Sequence, residues 1–169
     1  MKLRRILLAT VLIAVPYSMQ AQTVVKRTYA TPTARFASSI WVGDTLYVSG
    51  MGAPPVTPAD PAKGTPAVYG DTEEQTTGAL TAIEKVLKDQ GLTLGDVVEM
   101  QVFLAGDPAK DGKMDFAGMN AAYAKFFGTP EQPNRPVRAA LQVAALASAK
   151  GLVEIMVVAA KSAPPAKGK

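Results

Sequence analysis

The chain has 169 residues, with 18 basic and 14 acidic side chains, and is long enough for one domain with a hydrophobic core. It contains no cysteine and no histidine, so disulfides, thiol chemistry and any Ser-His-Asp arrangement are excluded. The commonest general base and transition-metal ligand is therefore missing, and no glycine-rich phosphate loop occurs. Any chemistry has to use arginine, carboxylate, tyrosine or serine side chains, backbone groups and water.

The first 21 residues predict a secretory signal peptide. Lys2, Arg4 and Arg5 form a positive start, residues 6–15 are an apolar run, and Ala21 is a candidate cleavage point. An uncleaved anchor is the alternative, although the run is short for a membrane span. We therefore expect a periplasmic or secreted protein that has no membrane contact after cleavage.

The charge balance does not support nucleic-acid binding. Three basic residues and no acidic residue lie in the first 21 positions, so the rest of the chain has 15 basic against 14 acidic side chains. Three more lysines lie in a short tail, residues 161–169, that we expect to be disordered. The domain between these ends is slightly acidic, whereas a nucleic-acid-binding domain normally carries a basic stripe. We expect no nucleic-acid partner.

Residues 22–33 are interpreted as an N-terminal extension, and the predicted domain covers 34–160. Two apolar runs within 34–50 flank Gly43 and Asp44, which predicts a β-hairpin. The next segment, 52–66, contains five prolines and predicts a loop.

Two helices with a strand between them follow this loop. Asp71 and Glu74 have the spacing of a capping box, and apolar residues at helical spacing continue to a stop at Gly91. Residues 96–106 predict the third strand, and Asp115 is expected to begin the second helix.

The last two strands are predicted at 137–146 and 151–160, which completes the order ββαβαββ and an α+β fold. Two helices cannot cover both faces of a five-stranded sheet, so we expect both helices on one face. The last strand is apolar at successive positions, which predicts burial of both its faces. Another copy of the chain is expected to cover the second face, so the pattern predicts a homo-oligomer.

Arg138 and Glu154 are each a single charge within one of these apolar strands. A short loop around Ser148, Ala149 and Lys150 joins the two strands, so we expect them to pair antiparallel. Glu154 then lies opposite Gln142 or Val143, and Arg138 is on the order of 13–17 Å away. The two side chains then cannot form an ion pair within one subunit, and a site that uses both has to lie between subunits. The alternative is that each charge has only a structural role.

Residues 34–160 resemble the RidA/YjgF family of reactive-intermediate deaminases. The stretches that carry the resemblance occur in family order: LYVSG at 46–50, GDTEEQT at 70–76, GLTLGDVV at 91–98, MNAAYAKFF at 119–127, RPVRAAL at 135–141 and VEI at 153–155. The resemblance implies a chorismate-mutase-like fold that assembles as a homotrimeric barrel, with sites in the clefts between subunits.

The resemblance also implies roles for individual residues. Arg138 matches the arginine that binds the substrate carboxylate, and Glu154 matches the glutamate that holds the attacking water. The other positions that match the family's site are Ser49, Gly50, Asn120, Phe36, where many members have tyrosine, and Ala140, where many have cysteine.

The implied activity is the hydrolytic deamination of 2-enamino and 2-imino acids to 2-keto acids and ammonia, without a metal or a cofactor. An imine carbon beside a carboxylate is already electrophilic, so a bidentate arginine and one carboxylate suffice to orient it and to handle water. One alternative is a member of the superfamily that binds small carboxylate ligands without turnover. The other is a ribonuclease, which the absence of histidine and of a basic domain disfavours.

Overall fold

The computed structural model describes residues 23–161, so the predicted signal peptide and all but the first residue of the predicted tail lie outside the described residues. The helices are α1 (Thr72–Asp89) and α2 (Phe116–Tyr123). The strands are β1 (Val25–Thr28), β2 (Ser39–Val42), β3 (Thr45–Met51), β4 (Val97–Leu104), β5 (Val137–Gln142) and β6 (Val153–Ala160).

The six strands form one sheet in the order β1-β2-β3-β6-β4-β5. Strand β6 is antiparallel to both β3 and β4, and β5 is parallel to β4. The segments β3-α1-β4 and β4-α2-β5 are therefore two crossovers between parallel strands that step across the sheet in the same direction. Because such crossovers are right-handed, both helices lie on the same face. The predicted α+β fold with two helices on one face is confirmed.

The hydrophobic core lies between this face and the helices. Val102 and Ile155 from the sheet and Leu80 and Ile83 from α1 are at most 1% exposed. The opposite face, which we call the open face, has no covering element among the described residues. Its apolar side chains are accordingly exposed, by 50% for Tyr47, 72% for Val137, 44% for Leu141 and 40% for Met156.

Local sequence signals position several of the elements. Gly43 has a φ of 58° in the turn between β2 and β3, which is the predicted hairpin. The capping box of α1 is present, because Asp71 accepts from the Glu74 N–H while the Glu74 carboxylate accepts from the Asp71 N–H. Asp115 caps α2, whose last residue is Tyr123.

Strand β1 lies within the segment interpreted as an extension at 22–33. It pairs antiparallel with β2, with Val25 opposite Val42 and Thr28 opposite Ser39. Its sequence, VKRT, is short, polar and largely exposed, so it lacks the apolar alternation by which strands are recognised. The sheet therefore has six strands rather than the predicted five.

The predicted pairing of the last two strands is wrong. Strand β5 does not contact β6 through backbone pairing, because β4 lies between them. The connection at 143–152 is long enough to cross the end of β4. Ten residues reach about 33 Å when extended, whereas β5 and β6 are only about 10 Å apart across β4. The central position of β6 explains why it is apolar at successive positions.

Candidate functional site

The predicted site residues form two groups within the single chain. One group lies around the junction of β3 and β6, and the other lies where α2 covers the start of β5. The first group consists of Glu154, Ser49, Gly50 and Phe36, and the second consists of Arg138, Asn120 and Ala140.

Glu154 is half-buried on β6 and packs over Gly50. A Cβ added at Gly50 would overlap a carboxylate oxygen of Glu154 and would come within 2.8 Å of its Cδ. Gly50 occupies the irregular part of β3, where the register against β6 shifts between Val48 and Met51. The bulge and the missing side chain together make room for the carboxylate beside the backbone.

Ser49 fixes the same bulge to the segment before β2. Its hydroxyl donates to the Ala37 carbonyl at 2.7 Å, and its backbone N–H donates to the Ser38 carbonyl at 3.0 Å. Phe36 comes immediately before this contact and is 70% exposed. The Phe36 ring is therefore exposed to solvent at the edge of this group and is not part of the core.

Glu154 also lines a cavity of about 170 Å³ at the end of the sheet where β6 begins. The cavity is bounded by the start and the end of the long loop between β3 and α1, including Tyr69, and by the connection between β5 and β6. None of the hydrogen bonds or ion pairs among the described residues involves the Glu154 carboxylate. Its oxygens are thus free to accept from water or from a ligand in this cavity.

Gln75 holds the wall of this cavity together and was missed by the sequence analysis. It is 2% exposed, and its Nε2 donates to the carbonyls of Gly70 and Lys150, both at 3.1 Å. Its Oε1 accepts from the Leu152 N–H at 2.8 Å. The helix α1 is therefore tied to the connection that leads to Glu154. A glutamine within GDTEEQT gives no local sign of such a distant contact.

Arg138 is half-buried and is held by uncharged groups of α2. Its Nη2 donates to Asn120 Oδ1 at 2.8 Å, and its Nη1 lies 3.7 Å from Met119 Sδ. The guanidinium Cζ lies 4.3 Å from the centre of the Tyr123 ring, which is a cation–π contact. Met119, Asn120 and Tyr123, at positions i, i+1 and i+4, share one face of the helix. Together they form a set of contacts around the guanidinium that we call the cradle.

No carboxylate within residues 23–161 forms an ion pair with Arg138. The ion pairs found there join lysines to carboxylates at the surface. The positive charge is therefore uncompensated while the remaining N–H donors of the guanidinium are free. This arrangement suits the bidentate binding of an external carboxylate.

Tyr123 also belongs to this second group. The ring stacks on Phe127 with the centroids 4.9 Å apart, so it also packs against the core. Burial raises the pKa of the Tyr123 phenol, and the positive charges of Arg138 and Arg135 oppose this rise. The phenol is thus a neutral platform at neutral pH.

The two groups face opposite sides of the sheet. Arg138 is paired with Met100 on β4, and Glu154 is paired with Phe103 on the same strand. Because these partners are three residues apart, the side chains point to opposite faces. The Cα atoms of Arg138 and Glu154 are about 14 Å apart, because two strand spacings and three residues along β4 separate them. The conclusion that the two charges cannot pair within one subunit stands, although the strand pairing behind it was wrong.

Ala140 lies on the same face as Arg138, opposite Val102, and packs against the core. Its methyl group brings no polar atom to the group around Arg138. Among the described residues, three or more histidine, cysteine, aspartate or glutamate side chains nowhere gather as metal ligands would. Within 23–161, none of the helices combines the length and the apolar character that a membrane span requires.

Comparison with known proteins identifies the class to which this fold and these residues belong. The family described as "Endoribonuclease L-PSP" matches residues 26–161. The chain therefore belongs to this family, which is also known as RidA/YjgF, and the resemblance stated from the sequence is confirmed.

Individual relatives support the assignment. A RutC family protein of Saccharolobus solfataricus is 37% identical over 131 residues, covering 78% of this chain and 90% of its own length. TdcF of Escherichia coli, whose name provisionally calls it a reactive intermediate deaminase, is 29% identical over 76% of this chain and 88% of its own length.

Solved structures show the same fold. The crystal structure of E. coli TdcF with bound serine has a TM-score of 0.58 and 27% sequence identity, covering 75% of this chain and 88% of that one. A YjgF family member from Neisseria meningitidis has a TM-score of 0.62 at 22% identity, covering 84% of this chain and 98% of that one. The chorismate-mutase-like fold is thereby confirmed.

Proposed function

We propose that the protein hydrolyses 2-imino acids, and the 2-enamino acids in equilibrium with them, to 2-keto acids and ammonia without a cofactor. One observation carries the proposal: Arg138 has an uncompensated charge in a neutral cradle, and Glu154 has a carboxylate without a partner in a cavity. The first group suits the substrate carboxylate, and the second suits the water that attacks it. The name of the relative TdcF agrees with this chemistry.

The proposed reaction needs only these two charges. The guanidinium of Arg138 binds the substrate carboxylate and orients the adjacent C=N carbon. Glu154 accepts a proton from water as the water oxygen bonds to that carbon, and it delivers the proton to the nitrogen. Glu154 then transfers the hydroxyl proton of the resulting 2-amino-2-hydroxy acid to the nitrogen. The C–N bond breaks, ammonia leaves, and the oxygen forms the carbonyl of the 2-keto acid.

The opposite faces of Arg138 and Glu154 require that the site combine two subunits. Arg138 lies on the edge strand β5, so it would approach Glu154 of the next copy where the edge of one sheet meets the open face of another around a common axis. The exposed apolar side chains of Tyr47, Met156 and Leu141 provide the surface for this packing. We infer that the assembly is a homotrimer, as the resemblance implies.

Ligand binding without turnover is the second candidate function. It is favoured by the fact that Asn120, Tyr123 and Met119 complete the guanidinium cradle within one chain, whereas Glu154 is brought to it only by assembly. A protein of this kind would bind 2-oxo or amino acids through Arg138 and would not accelerate the spontaneous hydrolysis of imines.

The proposal is tested with 2-imino acids generated in situ by an amino-acid oxidase, following their conversion to 2-keto acids. We expect the protein to accelerate hydrolysis over the spontaneous rate and Glu154→Gln to lower kcat by roughly 10²- to 10⁴-fold with a small change in KM. Glu131→Gln is the matched control, because Glu131 is exposed and lies outside the site.

The variants separate the two candidates. Equal rates for the folded Glu154→Gln variant and the parent would remove Glu154 from the reaction. No acceleration by the parent, together with binding of a 2-oxo acid that depends on Arg138, would favour the ligand-binding function.

A further inference from the structure

A second, larger cavity adjoins the one that Glu154 lines. Its volume is about 870 Å³, and it lies at the end of the sheet where β4 and β5 end and β6 begins. The two cavities share five lining residues, namely Tyr69, Gln75, Leu146, Ser148 and Gly151. They are therefore neighbouring compartments of one cleft, with Glu154 in the smaller compartment.

The larger compartment is lined mainly by small apolar residues. Alanine, valine, leucine and glycine from the segments 67–70, 105–112 and 143–152 form most of its wall. The two glutamines in the wall are already engaged: Gln75 as described above, and Gln142 with the Gly112 carbonyl at 2.9 Å and the Met114 N–H at 3.0 Å. These amides hold the wall in place. Ser148 and Lys150 also line the compartment, so polar atoms are present beside the alanine, valine and leucine side chains.

Tyr69 stands at the junction of the two compartments, since it lines both. It lies at the end of the proline-rich loop, just before Gly70 and the capped start of α1. None of the hydrogen bonds among the described residues uses its hydroxyl. Tyr69 therefore borders both compartments with a hydroxyl that has no partner among the described residues.

We propose that the larger compartment receives the side chain of the substrate and that the enzyme prefers 2-imino acids with large apolar side chains. This inference rests on the proposed function, because it places the reacting carbon beside Glu154. A cavity on the order of 150 Å³ already holds a benzene ring, so the smaller compartment has room for the reacting group alone. A branched or aromatic side chain needs the second compartment.

Burial of apolar atoms sets the size of the expected preference. Each methylene transferred from water to an apolar wall contributes roughly a three- to fourfold gain in binding. The imine derived from leucine, with three more carbons than the imine derived from alanine, is therefore expected to have a kcat/KM on the order of 10- to 100-fold higher. The imine derived from phenylalanine is expected to behave like that from leucine.

The test measures kcat/KM for the imines of alanine, leucine and phenylalanine, generated in situ. Val143→Trp and, separately, Ala144→Trp fill the larger compartment from positions that do not line the smaller one. Each is expected to reduce the leucine-to-alanine ratio of kcat/KM by tenfold or more. Ala62→Trp, in the exposed turn at 61–63, is the matched control and keeps the ratio.

Calorimetric binding of the stable 2-oxo acids, pyruvate and 4-methyl-2-oxopentanoate, separates this inference from the proposed function. If 4-methyl-2-oxopentanoate binds more tightly than pyruvate and the tryptophan variants abolish this difference, the role of the larger compartment is supported. This holds even if no imine is hydrolysed and the proposed function is wrong. If imines are hydrolysed with equal kcat/KM across the series, the inference about the larger compartment is wrong while the proposed function stands. The same holds if the tryptophan variants leave the leucine-to-alanine ratio of kcat/KM unchanged. Absence of both hydrolysis and side-chain-dependent binding overturns both.

Discussion

Arg138 is a cation whose surroundings differ from those of an ordinary surface arginine. The Tyr123 ring and Met119 remove water from one side of the guanidinium, and Asn120 satisfies only one of its five N–H donors at a short distance. A partly desolvated charge without a counterion is unfavourable until an anion arrives. The structure therefore favours a carboxylate ligand at this position, whatever chemistry follows.

Substitution of Arg138 is expected to weaken recognition more than turnover. Arg138→Ala should raise the Kd of a 2-oxo acid on the order of 10- to 100-fold, because a charge-assisted bidentate pair is lost. Arg138→Lys should recover only part of this affinity, since an ammonium cannot make the forked contact. Calorimetry provides the Kd values, with Arg27→Ala on the exposed edge strand as the control. An unchanged Kd in Arg138→Ala would exclude the arginine from the ligand site.

At the scale of elements, the connection between β5 and β6 is the segment on which the site depends most. It has to cross the end of β4 and still deliver Glu154 in register with Phe103. Gln75 anchors it from α1 by contacts to the Lys150 carbonyl and the Leu152 N–H. The helix thus fixes the starting point of β6 across a sequence separation of more than seventy residues.

Gln75→Leu is expected to destabilise the fold and to loosen this connection. The substitution leaves two carbonyls and one N–H without their partner in a partly buried place, which costs about 2–4 kcal/mol of the free energy of unfolding. Chemical unfolding at a fixed protein concentration measures the loss, and hydrogen exchange at the Leu152 amide should become faster. Thr81→Val, which removes an exposed hydroxyl from the same helix, is the control. A free energy of unfolding equal to that of the parent would mean that the connection is held by other contacts.

At the scale of the whole molecule, the open face and the divided site point to the same assembly. The open face exposes apolar side chains on β3, β5 and β6, and Glu154 lies on this face, whereas Arg138 lies on the other. Packing of the open faces would bury the first set. Because Arg138 lies on the edge strand β5, it would approach Glu154 of a neighbouring copy at the margin of this contact.

Light scattering on the purified protein is therefore expected to give three times the monomer mass. Met156→Glu places a charge in the open face and should shift the protein towards smaller species, because an unpaired charge is costly in an apolar interface. Thr81→Glu, at an exposed position of α1, is the control for the same change in charge. A monodisperse monomer that hydrolyses imines at full rate would contradict the two-subunit site.

Export stays a prediction that depends on residues outside the described structure. The positive start and the apolar run of the first 21 residues predict cleavage near Ala21. Intact-mass measurement of the protein recovered from a bacterial host should show a chain that begins near Gln22, in the periplasmic or secreted fraction. Recovery of the full-length chain from the cytoplasm would contradict the prediction.

The sequence alone determined the features that depend on neighbouring residues. The hairpin at Gly43, the capping box at Asp71 and the cap at Asp115 are made by groups a few positions apart, so their patterns were sufficient. The family and the isolated charges at Arg138 and Glu154 were also evident from the sequence.

The tertiary structure alone decided the order of the strands and the surroundings of the charges. The polar strand β1 has no pattern of its own and is held by its pairing with β2, and β6 is inserted between β3 and β4 rather than beside β5. The contacts of Gln75 to the connection, of Tyr123 to Arg138, and of Gly50 to Glu154 join positions far apart in the chain. Such contacts depend on which strands pair and on which face the two crossovers place the helices, and no local pattern of residues encodes which distant groups then meet.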